Sequence, residues 1–282
     1  MLGVSLRPLA ALALCAALSP AAWAQDVPAN DNLNAVLWMQ RSVEYQATTL
    51  ALFELAKIRL DQALKDKSWT AAPAEQTGDF KDLTPAIVID ADETVLDNSG
   101  YQAWMVMNNL TFSPKTWTQF VNSQTSLATP GAVEFAKYAE AKGVRVFYVT
   151  NRTKVEEGPT RENMRKLGFP MSANVDTILS AKEQPDWSSA KGTRRAAIAR
   201  HYRILLCIGD NFGDFTDAYK GSVEERQTVF EENHARWGRE WIMLPNPSYG
   251  SFESAPFGGN FKLPVEEQRA AKRAVLAPWN GQ

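Results

Sequence analysis

Residues 88–101 read VIDADETVLDNSGY, and Ala86 and Ile87 extend the apolar start of that stretch. An apolar run that stops on Asp90, with Asp92 and Glu93 just behind it, reads as a strand over 86–90 closing in an acidic turn. Three more apolar runs share that character: VRVFYVT at 144–150, ILLCIGD at 204–210 and a shorter one at 241–244. Helical candidates separate them. One opens at Pro130, runs through Ala141 and stops at Gly143; a second opens at Gly158 or Pro159 and ends at Gly168; two more cover 191–201 and 223–237. Continuous apolar strands alternating with helices predict an α/β chain whose parallel sheet is covered on both faces.

In such a sheet ligands bind beyond the carboxyl ends of the strands. Those ends carry Asp90-Ala91-Asp92-Glu93-Thr94, Thr150-Asn151-Arg152 and Gly209-Asp210-Asn211-Phe212-Gly213-Asp214. Two carboxylates two residues apart, joined by a third acidic cluster, repel one another unless a cation lies between them. An all-oxygen donor set suits a hard divalent ion, and Mg²⁺ fits best. A lone Asp-x-Asp is also what an ordinary solvated turn looks like, so the weight rests on the set rather than on the pair.

The run at 88–101 resembles the first motif of the haloacid dehalogenase superfamily, a DxDx[TV] sequence behind a core strand. Thr150, Lys191 and the run 209–214 stand in the order of its second, third and fourth motifs. Within that superfamily the likeness is to the class C acid phosphatases of the lipoprotein e type. It is carried by DADETVLDNSGY, by PGAVEFAKY at 130–138, VFYVTNR at 146–152, IGDNFGDF at 208–215 and LPNPSYG at 244–250. The resemblance spans roughly 36–252. Ala91, where the family usually has Ile or Leu, and Phe212, in place of a common Leu, depart from it in packing rather than in chemistry.

What the resemblance implies is a Rossmann-like three-layer parallel sheet with a small cap inserted at about 97–129, and a Mg²⁺-dependent acid phosphatase or 5′-nucleotidase. Asp90 would attack phosphorus and form an aspartyl-phosphate. Asp92 would protonate the leaving alkoxide and later deprotonate water. Thr150, with the backbone amide of Asn151, would bind a phosphoryl oxygen, and Lys191 would neutralise charge on the transferred group. Lys182 competes with Lys191 for that role. The metal would be held by Asp90, the Asp92 carbonyl and Asp210, with Asp214 bracing them from behind. The insertion holds Trp104, Met105, Met107, Phe112, Trp117 and Phe120. Most of these read equally as a local mini-core, but the resemblance places Trp117 opposite Tyr249 as walls around a nucleobase or nicotinamide. The implied substrates are nucleoside 5′-monophosphates or nicotinamide mononucleotide. A class B-type or sugar-phosphate phosphatase of the same superfamily competes, as does a non-catalytic exported binding or storage protein; retention of Asp90, Asp92, Thr150 and Asp210 weighs against the latter.

The 282 residues are 45% hydrophobic and 22% charged with a formal charge of −2, so no positive field draws polymeric nucleic acid. Two histidines, His201 and His234, leave no material for a histidine-rich metal site. Residues 1–24 carry Arg7, an apolar run, Pro20 and Ala22-Trp23-Ala24, the pattern of a cleaved signal peptide, with the run well short of the ~20 residues a membrane span needs. This predicts a periplasmic or secreted protein. A lipid anchor at Cys15 is disfavoured by the bulky Leu14 and by the position of Cys15 inside the apolar run. Residues 25–83 read as an N-terminal helical extension, possessing one or two amphipathic helices over 32–66, plus a linker. Residues 84–252 read as the phosphatase core and 253–282 as a charged tail. Cys207 lies in an apolar run and reads as a small buried hydrophobe. A homodimer is an expectation carried by the resemblance alone.

Overall fold

The computed structural model describes residues 30–281; the leader expected over 1–24 lies outside the described residues. The elements are α1 (Leu33–Arg41), α2 (Val43–Lys65), β1 (Thr84–Ile89), β2 (Leu96–Asp97), α3 (Ser99–Met107), α4 (Pro114–Ser123), β3 (Leu127–Ala128), α5 (Ala132–Ala141), β4 (Arg145–Thr153), α6 (Lys154–Leu167), β5 (Ile178–Ala181), α7 (Gly192–Ala199), β6 (Tyr202–Gly209), α8 (Val223–Glu232), β7 (Trp241–Met243), α9 (Ser251–Ser254) and α10 (Val265–Ala274). Five strands form one sheet in the order β5-β4-β1-β6-β7, every pairing parallel. The chain builds outward from β1 to β4 and β5, then returns to place β6 and β7 on the other side. That reversal puts the topological switch at β1, the place where such sheets bind ligands, beyond the carboxyl ends of β4, β1 and β6.

Side chains alternate across β1. Ile87 and Ile89 join Phe53, Leu60, Phe135, Leu206 and Ile208 on one face, while Ala86 and Val88 join Phe147, Ile204, Cys207, Phe215 and Trp241 on the other. Cys207 is fully buried, as its apolar run predicts. The N-terminal helices are part of a layer: Phe53 of α2 packs its ring 5.6 Å from that of Phe135 in α5. The turn into α5 uses Gly131 at φ +89°, and a Cβ there would press on the Phe53 ring. Ser42 separates α1 from α2, its hydroxyl accepting from the Tyr45 N–H at 3.0 Å.

Several boundaries differ from the sequence reading. Helix α6 starts at Lys154, not at Gly158 or Pro159, because Glu156 turns back to accept from the Thr153 N–H at 2.7 Å and caps the first turn. Strand β5 is not anticipated, and the helix expected over 223–237 stops at Glu232. The segment read as a linker is a strap fastened to the sheet. Trp69 Nε1 donates to the Leu205 carbonyl and Trp241 Nε1 to the Ala71 carbonyl, both at 2.8 Å. The insertion forms a small cap of α3 and α4 between the two-residue strands β2 and β3, which pair antiparallel. The tail carries α10, tied back by Lys272 to Glu253 at 2.6 Å and Arg269 to Asp31 at 2.8 Å. No helix among the described residues is long and apolar enough to cross a membrane.

Candidate active site

Asp90 stands one residue past β1, and its N–H donates to the Ile208 carbonyl of β6 at 2.9 Å, so the sheet itself fixes where the carboxylate begins. Lys191, at the start of α7, delivers a buried ammonium that bonds Asp90 Oδ1 and lies 2.6 Å from Asp214 Oδ1. Asp214 Oδ2 accepts from the Asn211 N–H at 2.8 Å. Its side chain lies directly against Gly209, where a Cβ would collide with it. Asp210 follows β6 and is oriented by two donors, Thr94 Oγ1 at 2.8 Å and Asn246 Nδ2 at 2.9 Å. Oxygens of Asp90, Asp210 and Asp214 gather within 4.8 Å of one another.

The electrostatics of this floor are frustrated. Burial, then the charges of Asp214, Asp210 and Asp92, pushes the Asp90 carboxyl well above the usual carboxylate range against the pull of Lys191. Burial, then Asp214 and Glu93, pushes Asp210 up to about 7. For Lys191, burial works against the ammonium, yet Asp214 and Asp90 outweigh it and the pKa rises. One ammonium does not balance three carboxylates. A hard divalent cation would, and the donor set, oxygen throughout, fits one.

Asp92 lies across from this floor under different restraints. Its Oδ1 accepts from Arg152 Nε at 2.9 Å and Asn98 Nδ2 at 2.9 Å, and its Oδ2 from Thr150 Oγ1 at 3.2 Å. Thr150 thus stands within reach of the same space. The Asn151 side chain is turned away: Oδ1 accepts from Arg194 Nη2 at 2.7 Å and Nδ2 donates to the Ser189 carbonyl at 3.1 Å. Arg194, fully buried, also bonds the Thr150 carbonyl and so ties this strand end to the loop carrying Lys191. Lys182, the competing lysine, is exposed.

Tyr249 and Trp117 are both half-buried. The Tyr249 hydroxyl donates to Glu93, a fully buried carboxylate at φ +56° that burial and Asp92 push up to about 8. Trp117 packs in the cap with Tyr101 and Phe120 at ring separations of 5.3 and 5.6 Å, and the Arg152 guanidinium lies over it at 5.3 Å. Trp117 is therefore one side chain removed from Asp92, through Arg152, and Tyr249 two, through Glu93 and Asn98. Trp104 and Phe112 belong to the same ring cluster, a local mini-core with exposed edges. A cavity of about 850 Å³ lies elsewhere, between α1 and the cap, lined by Arg41, Tyr101, Trp104 and Phe120 and by none of the carboxylates of the floor.

The structure thus brings Asp90, Asp210, Asp214 and Lys191 into direct contact and sets Asp92 and Thr150 beside them. Sequence reasoning missed Asn98, Arg152, Glu93, Arg194 and Asn246 as members of this constellation. All but Arg194 stand in quoted runs, but nothing in their spacing names their partners.

The sequence pattern of the HAD superfamily, subfamily IIIB (acid phosphatase), matches residues 9–252. Among solved structures, the class C acid phosphatase from Bacillus anthracis is similar at 32% identity and a TM-score of 0.77, covering 88% of this chain and 98% of that one. The same Bacillus anthracis protein with tungstate bound matches with the same identity, TM-score and coverage. A pattern that runs through most of the chain, and a likeness that takes in nearly the whole of a solved relative, are relations of family. The chain belongs to the class C acid phosphatases of the haloacid dehalogenase superfamily and is a phosphomonoester hydrolase.

Proposed function

We propose that the protein is an exported, Mg²⁺-dependent phosphatase that takes nucleoside 5′-monophosphates or nicotinamide mononucleotide through an aspartyl-phosphate. The observation that carries this reading is the Asp90–Lys191–Asp214 triad beside Asp210 at the sheet's switch point. Asp90 is the one carboxylate of the floor at the end of the central strand and pinned by the ammonium, the placement a nucleophile needs. Asp90 attacks phosphorus while Asp92 protonates the leaving oxygen; Asp92 then takes a proton from the water that releases phosphate. Lys191, Thr150 and the Asn151 amide hold the phosphoryl oxygens as charge builds on them. Asp90, the Asp92 carbonyl and Asp210 would hold Mg²⁺, braced by Asp214. The ion supplies charge neutralisation for the phosphoryl group and offsets the mutual repulsion of the carboxylates. Tungstate, a tetrahedral oxyanion, was bound to the similar phosphatase, in keeping with a phosphate site here.

Trp117 and Tyr249 support the choice of substrate: both are half-buried aromatics attached to the surroundings of Asp92, and a flat ring between them would be held with little regard to base identity. Export rests on the signal pattern at 1–24, and cell fractionation tests it; the homodimer rests on the family likeness, and sedimentation tests it. The deciding experiment measures phosphate release from a nucleoside 5′-monophosphate, nicotinamide mononucleotide, a sugar phosphate and an aromatic phosphate, with Mg²⁺ or chelator, for wild type and Asp90→Asn. Metal-dependent turnover that vanishes in the variant and favours the two nucleotides is expected. Preference for the sugar phosphate would overturn the aromatic walls but keep the mechanism.

A further inference from the structure

We propose that Arg152 and Asn98 are positioning residues that clamp one oxygen of Asp92, Oδ1, and thereby dedicate the other, Oδ2, to proton transfer; this rests on the acid–base role of Asp92 proposed above. Oδ1 accepts two hydrogen bonds, from Arg152 Nε and Asn98 Nδ2, and Arg152 Nη2 closes the ion pair beside them. Arg152 Nε lies 2.9 Å away, Arg152 Nη2 2.8 Å and Asn98 Nδ2 2.9 Å. A guanidinium can only donate, so two of the three contacts have a fixed sense. The third follows from the same rule. Asn98 receives Arg152 Nη2 at 3.1 Å and Ser126 Oγ at 2.6 Å on its Oδ1. Because arginine has no acceptor, that face of the amide must be oxygen and the opposite face, toward Asp92, must be NH₂.

The clamp is itself immobile. Asn98 is fully buried and Arg152 nearly so. Arg152 Nη1 donates to Thr160 Oγ1 at 3.0 Å, and Asn98 N–H donates to Glu93 Oε1 at 3.0 Å. A carboxylate's terminal torsion is broad and two-fold, so an unrestrained Asp92 would exchange its oxygens and lose its aim. With Oδ1 held by two hydrogen bonds and the guanidinium charge, from donors that cannot turn into acceptors, a proton there would have to displace one of them. Oδ2 has a softer partner. Thr150 Oγ1, 3.2 Å away, already accepts from the Arg152 N–H at 3.0 Å, and its hydroxyl hydrogen can rotate toward a phosphoryl oxygen instead.

The proton traffic then balances on one atom. As the Asp90–phosphorus bond forms and the bond from phosphorus to the leaving oxygen breaks, the Oδ2 proton passes to that oxygen and the alcohol departs. As water bonds to phosphorus and the Asp90–phosphorus bond breaks, a water proton returns to Oδ2. Arg152 and Asn98 touch neither reacting bond; they act through Asp92.

A residue that merely held the fold would affect every substrate alike, whereas one that aims an acid matters in proportion to how badly the leaving group needs a proton. The test uses phenyl phosphates that share one ring and differ in leaving-group acidity, from phenyl to 4-nitrophenyl, so that stacking cancels along the series. The quantity read is kcat/KM, which reports phosphoryl transfer to Asp90. Arg152→Lys keeps the charge but loses the fork, and Asn98→Ser leaves the guanidinium in place. Two variants are read because a buried arginine can be needed for folding; melting curves show which is intact. Each intact variant should lose about 10- to 100-fold on phenyl phosphate, a share of what general acid catalysis supplies, and less than about threefold on 4-nitrophenyl phosphate. Equal losses along the series, or none, would overturn the clamp while leaving the phosphatase reading intact. Wild-type activity that survives Asp90→Asn would overturn both.

Discussion

The floor of the site and the wall of the cap are built on opposite plans. The floor is assembled from strand ends that the sheet already holds in register, and its Asp90, Lys191 and Asp214 are buried and bonded to one another. The cap is joined to the core by a two-residue strand pair, by α3 against α1 and α4 against α6, and by side-chain bonds such as Thr118 Oγ1 to Glu156 at 2.8 Å, yet it exposes Met107, Phe112 and Trp104. A rigid, polar, internally strained floor suits chemistry common to every phosphomonoester. An aromatic wall set apart from the sheet, with exposed ring edges, suits selection among leaving groups. Changes in the floor should therefore cost activity on all substrates, and changes in the cap should alter the ranking among them.

The sharpest test removes the nucleophile. Asp90→Asn keeps the shape of the floor and should lower turnover at least about 1,000-fold on nucleotide, sugar and aromatic phosphates together, measured as phosphate release. A loss confined to one substrate would erase the division between floor and wall. Removing the cation comes next. Chelation should bring turnover to the level of that variant, and added Mg²⁺ should restore it.

The same removal carries a pH signature. Without a cation, Asp210 sits at about 7 against an ordinary 3.8, and Glu93, raised first by burial, at about 8 against 4.5. Asp90 is shifted the same way. The folded protein therefore holds protons that the unfolded chain has released, so this stability is present at low pH and is lost as pH rises through the folded values. Lys191, raised from a value already far above this range, contributes no change there. Metal-free protein should melt lower at pH 8 than at pH 5, and the Tm gained from Mg²⁺ should grow by several degrees over that span in a thermal-shift series. A gain that shrinks with pH would mean that the carboxylates of the floor are not the ligands.

A smaller loss is expected from crowding the floor without touching its charges. Gly209→Ala places a methyl where the Asp214 side chain lies, so Asp214 must swing away from Lys191. Stability should fall by about 1–3 kcal/mol, and kcat should drop by about 100-fold, the size of effect seen when one preorganised charge contact is lost. Nucleotide and sugar phosphate should suffer alike, which separates this change from any made in the cap.

Part of the floor is legible in the sequence because Asp90 and Asp210 end continuous apolar runs, and such runs are read without knowing their neighbours, whereas Lys191 ends no such run and is named only by the family resemblance. Asp90, Thr150 and Asp210 announce themselves in that way. Strand β5 did not, since Ile-Leu-Ser-Ala is too short and too mixed to separate from a loop. Trp69 and Ala71 sit among Pro, Gly and Thr and read as a linker, although their backbone and indole groups bond the sheet. Arg152 and Asn98 illustrate the harder limit. Arg152 meets Asp92 from 60 positions away and Asn98 from 54, and a contact across that span is set by topology rather than by local pattern. The start of α6 differs from the sequence reading for a local reason: Gly158 and Pro159 look like a beginning, while the bond that caps the helix belongs to Glu156.

The wall offers the gentlest test and the one most specific to it. Trp117 shares its ring contacts with Tyr101 and Phe120, so the cap keeps a mini-core when that indole is removed. Trp117→Ala should raise KM for a nucleoside 5′-monophosphate about tenfold, the low end of what one stacked base contributes, and leave KM for a sugar phosphate within about twofold. The kcat values should stay close to wild type, because Arg152 loses only the face of the ring and keeps its bonds to Asp92, Asn98 and Thr160. A kcat that falls equally on both substrates would show that the indole steadies Arg152 and, through it, Asp92. Wall and floor would then be one mechanical unit, and the substrate's ring would contribute to the rate of the chemical step as well as to binding.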